Sequence, residues 1–252
     1  MRDFVRGLTA PFRGARLIAA SPQLRRLAVM PVAINIAVFI AGITLATIAA
    51  VSWAGHLVAG NEALRIAVQI IAVAAILAAA IFLFLIIGNI IAGPFNARLS
   101  EAIELQLTGR AGAFTTTIRQ DVGRSIATAV GRLFLFILCY PPILLTALIP
   151  VIGFIVQPLL ATLYLAFVLS LDFSDFVLER HMARFGEKVR YIRSRKALYL
   201  GFGLTAVAFA FIPVIDFLLL PVGVAGATLL FIEENGTSGE GGRAGAYRGP
   251  QP

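Results

Sequence analysis

Charged side chains are scarce in this sequence: Asp, Glu, Lys and Arg make up 13% of 252 residues, where a soluble domain carries about a quarter. Apart from His56, they are missing from Leu27–Gly60, Ile66–Ala97 and Leu133–Leu171, and Ala197–Ile232 holds one, Asp216. A membrane-spanning helix needs about 20 apolar residues, so these runs make the chain an integral helical membrane protein. Cysteine is nearly absent too. Cys139 has no partner, which excludes a disulfide framework and leaves a small packing residue. With two histidines, His56 and His181, there is no metal-ligand cluster. A P-loop, a GxSxG elbow and a GxGxxG turn are also missing. Nothing argues for an enzyme, an ATPase or a cofactor. A cleavable signal is not expected, because the first apolar run starts at Leu27 and is too long.

What is present is a hydrophobic content of 59%, a mean hydropathy of +0.91 and a net charge of +8. The positive charge could suggest nucleic acid, but its distribution reads as membrane orientation. Residues 1–26 hold six arginines against one aspartate, residues 96–132 five cations against three anions, and residues 172–196 seven against four. The Glu62–Arg65 connection is neutral. Basic segments mark the cytoplasmic side. The N-terminus, both middle connections and the C-terminus are therefore expected inside, and the connection at 56–65 outside.

Residues 1–20 place Phe4, Leu8, Phe12, Ala15 and Ala19 on one side of a helical wheel and Arg2, Arg6, Arg13 and Arg16 on another. This predicts an amphipathic helix in the headgroup layer, kinked at Pro11. Ser21-Pro22 starts a new helix, with serine as cap and proline at the first helical position. Arg25 and Arg26 follow in its first turn, where the helix dipole disfavours cations. Two readings stay open for them: flanks of a span, or guanidinium groups joining free backbone N–H groups to hold an oxyanion. Long helices are expected over 22–58 and 63–109. The second ends in PFNARLSEAIELQLTG, with Leu99, Ile103 and Leu107 on one face and Arg98, Glu101 and Glu104 on others. Glu101 and Glu104 read as a solvated face rather than an acid/base pair, with Glu101 also a candidate pathway group.

Ile149–Pro158 reads IPVIGFIVQP and Ile212–Pro221 reads IPVIDFLLLP, identical at six of ten positions. Each copy sits inside an apolar block, 133–171 and 197–232, and its first proline removes a backbone donor and pushes the preceding residue out of the helical region. If the prolines break the arms, segments of 13 and 11 residues rise about 20 and 16 Å, short of a ~30 Å hydrocarbon core. Two partly penetrating, re-entrant hairpins result, whose broken backbone needs a cavity or a subunit interface around it. Asp216 stands where the first copy has Gly153; it is either a turn former and helix cap or an ionisable group on a pathway. Gly201, Gly203, Gly223 and Gly226 suit close helix packing. Residues 172–196 read as a basic surface stretch, and 235–252, Gly-rich and without apolar periodicity, as a disordered tail.

SPQLRRLAVMP at Ser21–Pro31 and PFNARLSE at Pro94–Glu101 carry a resemblance, with Leu107-Thr108-Gly109, Arg195-Lys196 and PVGVAGAT at Pro221–Thr228 in the same order. In these, across about residues 12–232, the chain resembles the CysZ family of bacterial sulfate permeases, relatives of the etoposide-induced membrane proteins. The resemblance implies two full transmembrane helices plus two partly penetrating hairpins, assembled as a homo-oligomer. It implies sulfate uptake across the inner membrane for cysteine biosynthesis. It also places sulfate at a Gly-Leu/Ile-Arg-Arg turn, which falls here on Gln23, Leu24, Arg25 and Arg26, with Gln in place of the family's glycine.

The expectation is an all-α integral membrane protein, one domain over 1–234, passing sulfate or a related oxyanion, with no nucleic-acid partner and no metal. The alternative is a membrane-shaping scaffold whose shallow hairpins and surface helices wedge one leaflet. An enzyme using Glu101, Glu104 or His181 trails both, since no nucleophile accompanies them.

Overall fold

The computed structural model describes residues 1–57, 62–112, 118–150, 152–182 and 184–236, all helix or short connection. The helices are α1 (Arg2–Ala20), α2 (Pro22–Leu57), α3 (Glu62–Thr108), α4 (Ile118–Leu145), α5 (Ile152–His181), α6 (Phe185–Ser194), α7 (Lys196–Ala210) and α8 (Pro213–Gly236), with a 3-10 turn at Thr146–Leu148. Among the described residues, four stretches are long and apolar enough to cross a membrane: Pro22–Ala49, Ala127–Leu148, Gly153–His181 and Leu218–Gly236. The all-α membrane fold is as the hydropathy requires. The expected tail beyond 236, the connection at 58–61 and most of the Gly/Thr-rich connection after Gly109 lie outside the described residues.

The prolines divide into two kinds. The IPVI motifs do reverse the chain: Ile149 is extended (φ −84°, ψ 113°) before Pro150, and Phe211–Ile212 separates α7 from α8, which opens on Pro213. Pro11, Pro31, Pro94, Pro141, Pro142, Pro158 and Pro221 instead lie inside continuous helices. This corrects the short arms expected of the hairpins. Helix runs straight through Pro141–Pro142 and Pro158, so α4 and α5 have 28 and 30 residues, about 42 and 45 Å of rise. Of the four arms, α7 stays short, at 15 residues.

The described residues form two compact units, one made by Arg26–Phe95, the other by Met1–Arg25 with Asn96–Pro252. The core of the latter gathers Leu171, Val177 and Leu178 of α5, Phe202 and Ala206 of α7, and Val224, Ala227 and Leu230 of α8. Onto it packs α1, through Gly7, Ala10, Pro11, Gly14 and Ile18. That buried stripe is not the Phe4–Leu8–Phe12 face expected to lie in lipid: Phe12 stays half exposed, edge-on to Phe209 at 5.1 Å. Small residues win because they let backbones touch. A methyl on Gly14 would lie 2.6 Å from the Gly226 nitrogen, and Thr205 Oγ1 donates to Leu8 O at 3.0 Å. Arg6 and Arg13 pair with Glu233 at the end of α8.

Candidate functional site

Ser21 is extended (φ −111°, ψ 119°), and Pro22 opens α2 with its preset φ. The Ser21 carbonyl accepts from Arg25 N at 3.0 Å, the first bond of the new helix. The backbone N–H groups of Gln23 and Leu24 therefore precede the first intrahelical donor, as the geometry of any helix start requires. Leu24 is buried, while the side chains of Gln23, Arg25 and Arg26 are exposed. Arg6, Arg13, Arg132, Arg180 and Arg195 each meet a carboxylate. Among the described residues, neither Arg25 nor Arg26 does. Two adjacent unneutralised guanidinium groups on the first turn of a helix are suited chemically to a tetrahedral oxyanion.

A second polar constellation went unread in the sequence. Glu104 of α3 is buried, which corrects its assignment to a solvated face; Glu101, three residues before it, is exposed as expected. Asn96, Leu99, Ser100, Ile103 and Glu104 form one buried helical face, so the apolar stripe at Leu99 and Ile103 has a polar edge, while Leu107 is exposed. Arg180, near the end of α5, donates through Nε (3.2 Å) and Nη2 (2.9 Å) to Glu104 Oε2, and through Nη1 to Phe176 O at 2.8 Å. Its Nη2 also donates to Ser100 Oγ at 2.8 Å. Ser100 in turn donates to Thr228 Oγ1 (2.9 Å), because the Thr228 hydroxyl proton is committed to Val224 O at 2.7 Å. His181 Nε2 donates to Glu104 Oε1 at 2.6 Å, its ring against Phe231.

Burial pushes the Glu104 carboxyl up, but hydrogen bonds from His181 and Arg180, and their charges, outweigh it and hold the carboxyl below its ordinary value. The anion thus ties α3, α5 and, through Ser100, α8. One signal for it existed: Ser100 and Glu104 are four apart on one helix.

The expected surface stretch 172–196 is also partly internal. Lys188 is buried and donates to Asp175 Oδ1 at 2.6 Å, and Arg132 of α4 meets Asp175 Oδ2 at 2.8 Å. Asp216 falls on the fourth residue of α8, within its first turn rather than before it; its side chain is outside the described residues. Gly201, Gly203, Gly223 and Gly226 each face a neighbouring helix, as their small size suggests. No group of three His, Cys, Asp or Glu side chains among the described residues could hold a metal.

Residues 10–221 match the family described as sulfate transporter CysZ/etoposide-induced protein 2.4. A protein named sulfate transporter CysZ from Pectobacterium atrosepticum is 29% identical over 228 residues, covering 88% of this chain and 82% of that protein. One of the same name from Vibrio parahaemolyticus is 28% identical over 225 residues, covering 86% and 90%.

Proposed function

Because the chain belongs to the sulfate transporter CysZ/etoposide-induced protein 2.4 family, we propose that it passes sulfate or a closely related oxyanion across the bacterial inner membrane and supplies sulfur assimilation and cysteine biosynthesis. The observation that carries the proposal is the start of α2, where Arg25 and Arg26 stand exposed and without a carboxylate among the described residues. Taking a dianion out of water is the main barrier to its passage, and two guanidinium groups offset much of that cost. Gln23 and Leu24 contribute the helix-terminal N–H groups that complete the oxyanion's coordination.

The basic segment 1–26 puts the N-terminus in the cytoplasm, so this capture point faces the cytoplasmic side. The hairpins α4–α5 and α7–α8 enter the membrane from that side; α7, at 15 residues, is too short to cross, so copies of the chain assemble to keep protein or water around the reversal at Pro213. The membrane-shaping alternative rests on shallow hairpins and surface helices together; one stripe of α1 is occupied by α7 and α8, which removes that stripe from the wedge.

Uptake of labelled sulfate by proteoliposomes tests the proposal. An Arg25→Ala/Arg26→Ala variant is expected to lose most of the flux while keeping the wild-type thermal unfolding profile. Undiminished uptake by that variant would remove the capture site, and no uptake by the wild-type protein would remove the transport reading.

A further inference from the structure

Of the cations of residues 184–196, two that form no ion pair among the described residues, Arg193 and Lys196, fall in one place. Arg195 is engaged, donating to Glu234 Oε2 at 3.0 Å with its guanidinium 4.2 Å over the Tyr191 ring. Arg193 and Lys196, one on each side of it in sequence, turn elsewhere: both line a cavity of about 300 Å³ where α5, α6 and α7 meet. Both are exposed and neither forms an ion pair among the described residues. The rest of the wall is Phe167, Ile192, Tyr199 and Leu200 with Ser170, and no carboxylate lines it. The cavity opens at the junction between α6 and the apolar helix Lys196–Ala210, whose N-terminus has no side-chain cap.

We propose that this cavity holds a phospholipid with an anionic headgroup, its phosphate on Arg193 and Lys196 and the first part of an acyl chain against Phe167 and Leu200. A free oxyanion would use the cationic half of the wall and leave the aromatic and aliphatic half uncovered. A neutral hydrocarbon would do the reverse. A lipid phosphate joined to its chain satisfies both halves, and basic pockets between membrane helices bind such headgroups. This assignment is independent of what the chain transports.

Native mass spectrometry of the full chain released from nanodiscs containing equal phosphatidylglycerol and phosphatidylcholine tests it. The wild-type protein is expected to retain phosphatidylglycerol selectively. Arg193→Gln/Lys196→Gln is expected to bind it about thirtyfold more weakly, from two lost surface charges. The charge-keeping Arg193→Lys/Lys196→Arg variant is expected to retain it, as is Arg2→Gln/Arg16→Gln, which removes equal charge from α1. Circular dichroism of each variant controls for folding. The proposal is overturned if the Gln pair retains as much lipid as the α1 pair, if phosphatidylcholine is held equally well, or if millimolar inorganic phosphate or sulfate displaces the lipid, which would make this a free-oxyanion site.

Discussion

Glu104 shows what one residue's environment adds to its identity. Its side chain is 7% exposed and shared between Arg180, whose side chain is fully buried, and His181. Removing one partner of a buried ion pair leaves the other charge uncompensated and costs about 3–5 kcal/mol. Glu104→Gln is therefore expected to lower the unfolding temperature in detergent by several degrees, and an unchanged midpoint would show that the pair contributes nothing net. The pH dependence has a definite sign. A carboxyl depressed in the folded state contributes stability that is fully present above its unfolded pKa of about 4.3 and is lost as pH falls through the lower folded value. Acidification from about pH 5 to 3 should thus destabilise the wild-type protein more than Glu104→Gln, and parallel curves would count against the assignment. Beyond the Ser100–Glu104 spacing, this was not legible in the sequence, because Glu104 lies one position beyond the apolar stripe, where a helical wheel cannot tell a solvated edge from one covered by another helix. The helix start that carries Arg25 and Arg26 was legible because its features are local: a serine cap and a proline at the first helical position.

At the scale of the helix, the prolines carried half a message. The repeat located both reversals, since an Ile-Pro step disfavours the helical region before it, and the extended Ile149 fits that constraint. It could not show that Pro158 and Pro221 would be absorbed. A proline within a helix leaves a carbonyl unpaired, and membrane helices tolerate this through neighbouring groups and local adjustment. An interior proline still costs about 3 kcal/mol relative to alanine. Pro158→Ala is accordingly expected to leave the unfolding temperature unchanged or raise it, while a fall would mean that a bend there is required. The opposite outcome is expected in α1. Gly14 meets the α8 backbone, and a side chain there would also approach Val222 O, 2.9 Å from an added methyl. Gly14→Leu is expected to cost about 1–3 kcal/mol or more and to make the first twenty residues sensitive to protease. Gly42→Leu, with open space around it, is expected to do neither. Equal protease sensitivity of the two variants would argue against tight docking of α1.

For the molecule as a whole, the two hairpins are not equivalent, although the repeat made them look so. In Leu218–Gly236 just over half of the apolar window is buried, whereas in Ala127–Leu148 none is. Leu138, Leu148, Phe154 and Ile155 are 59–88% exposed. In a soluble protein such a surface would mark an interface; in a membrane, lipid tails satisfy it equally well. Hydrophobicity therefore does not distinguish a partner copy from the bilayer, and the sequence was silent for the same reason. Cys139 lies on α4 within this surface, half-buried, and is the single cysteine of the chain. A nitroxide attached there reports the arrangement without further substitution. If copies assemble through α4 and α5, pulsed electron spin resonance in nanodiscs should show a discrete dipolar distance, lost when labelled protein is diluted with unlabelled protein before assembly. A featureless decay at every dilution would leave this face to lipid and place any oligomeric contact elsewhere on the chain.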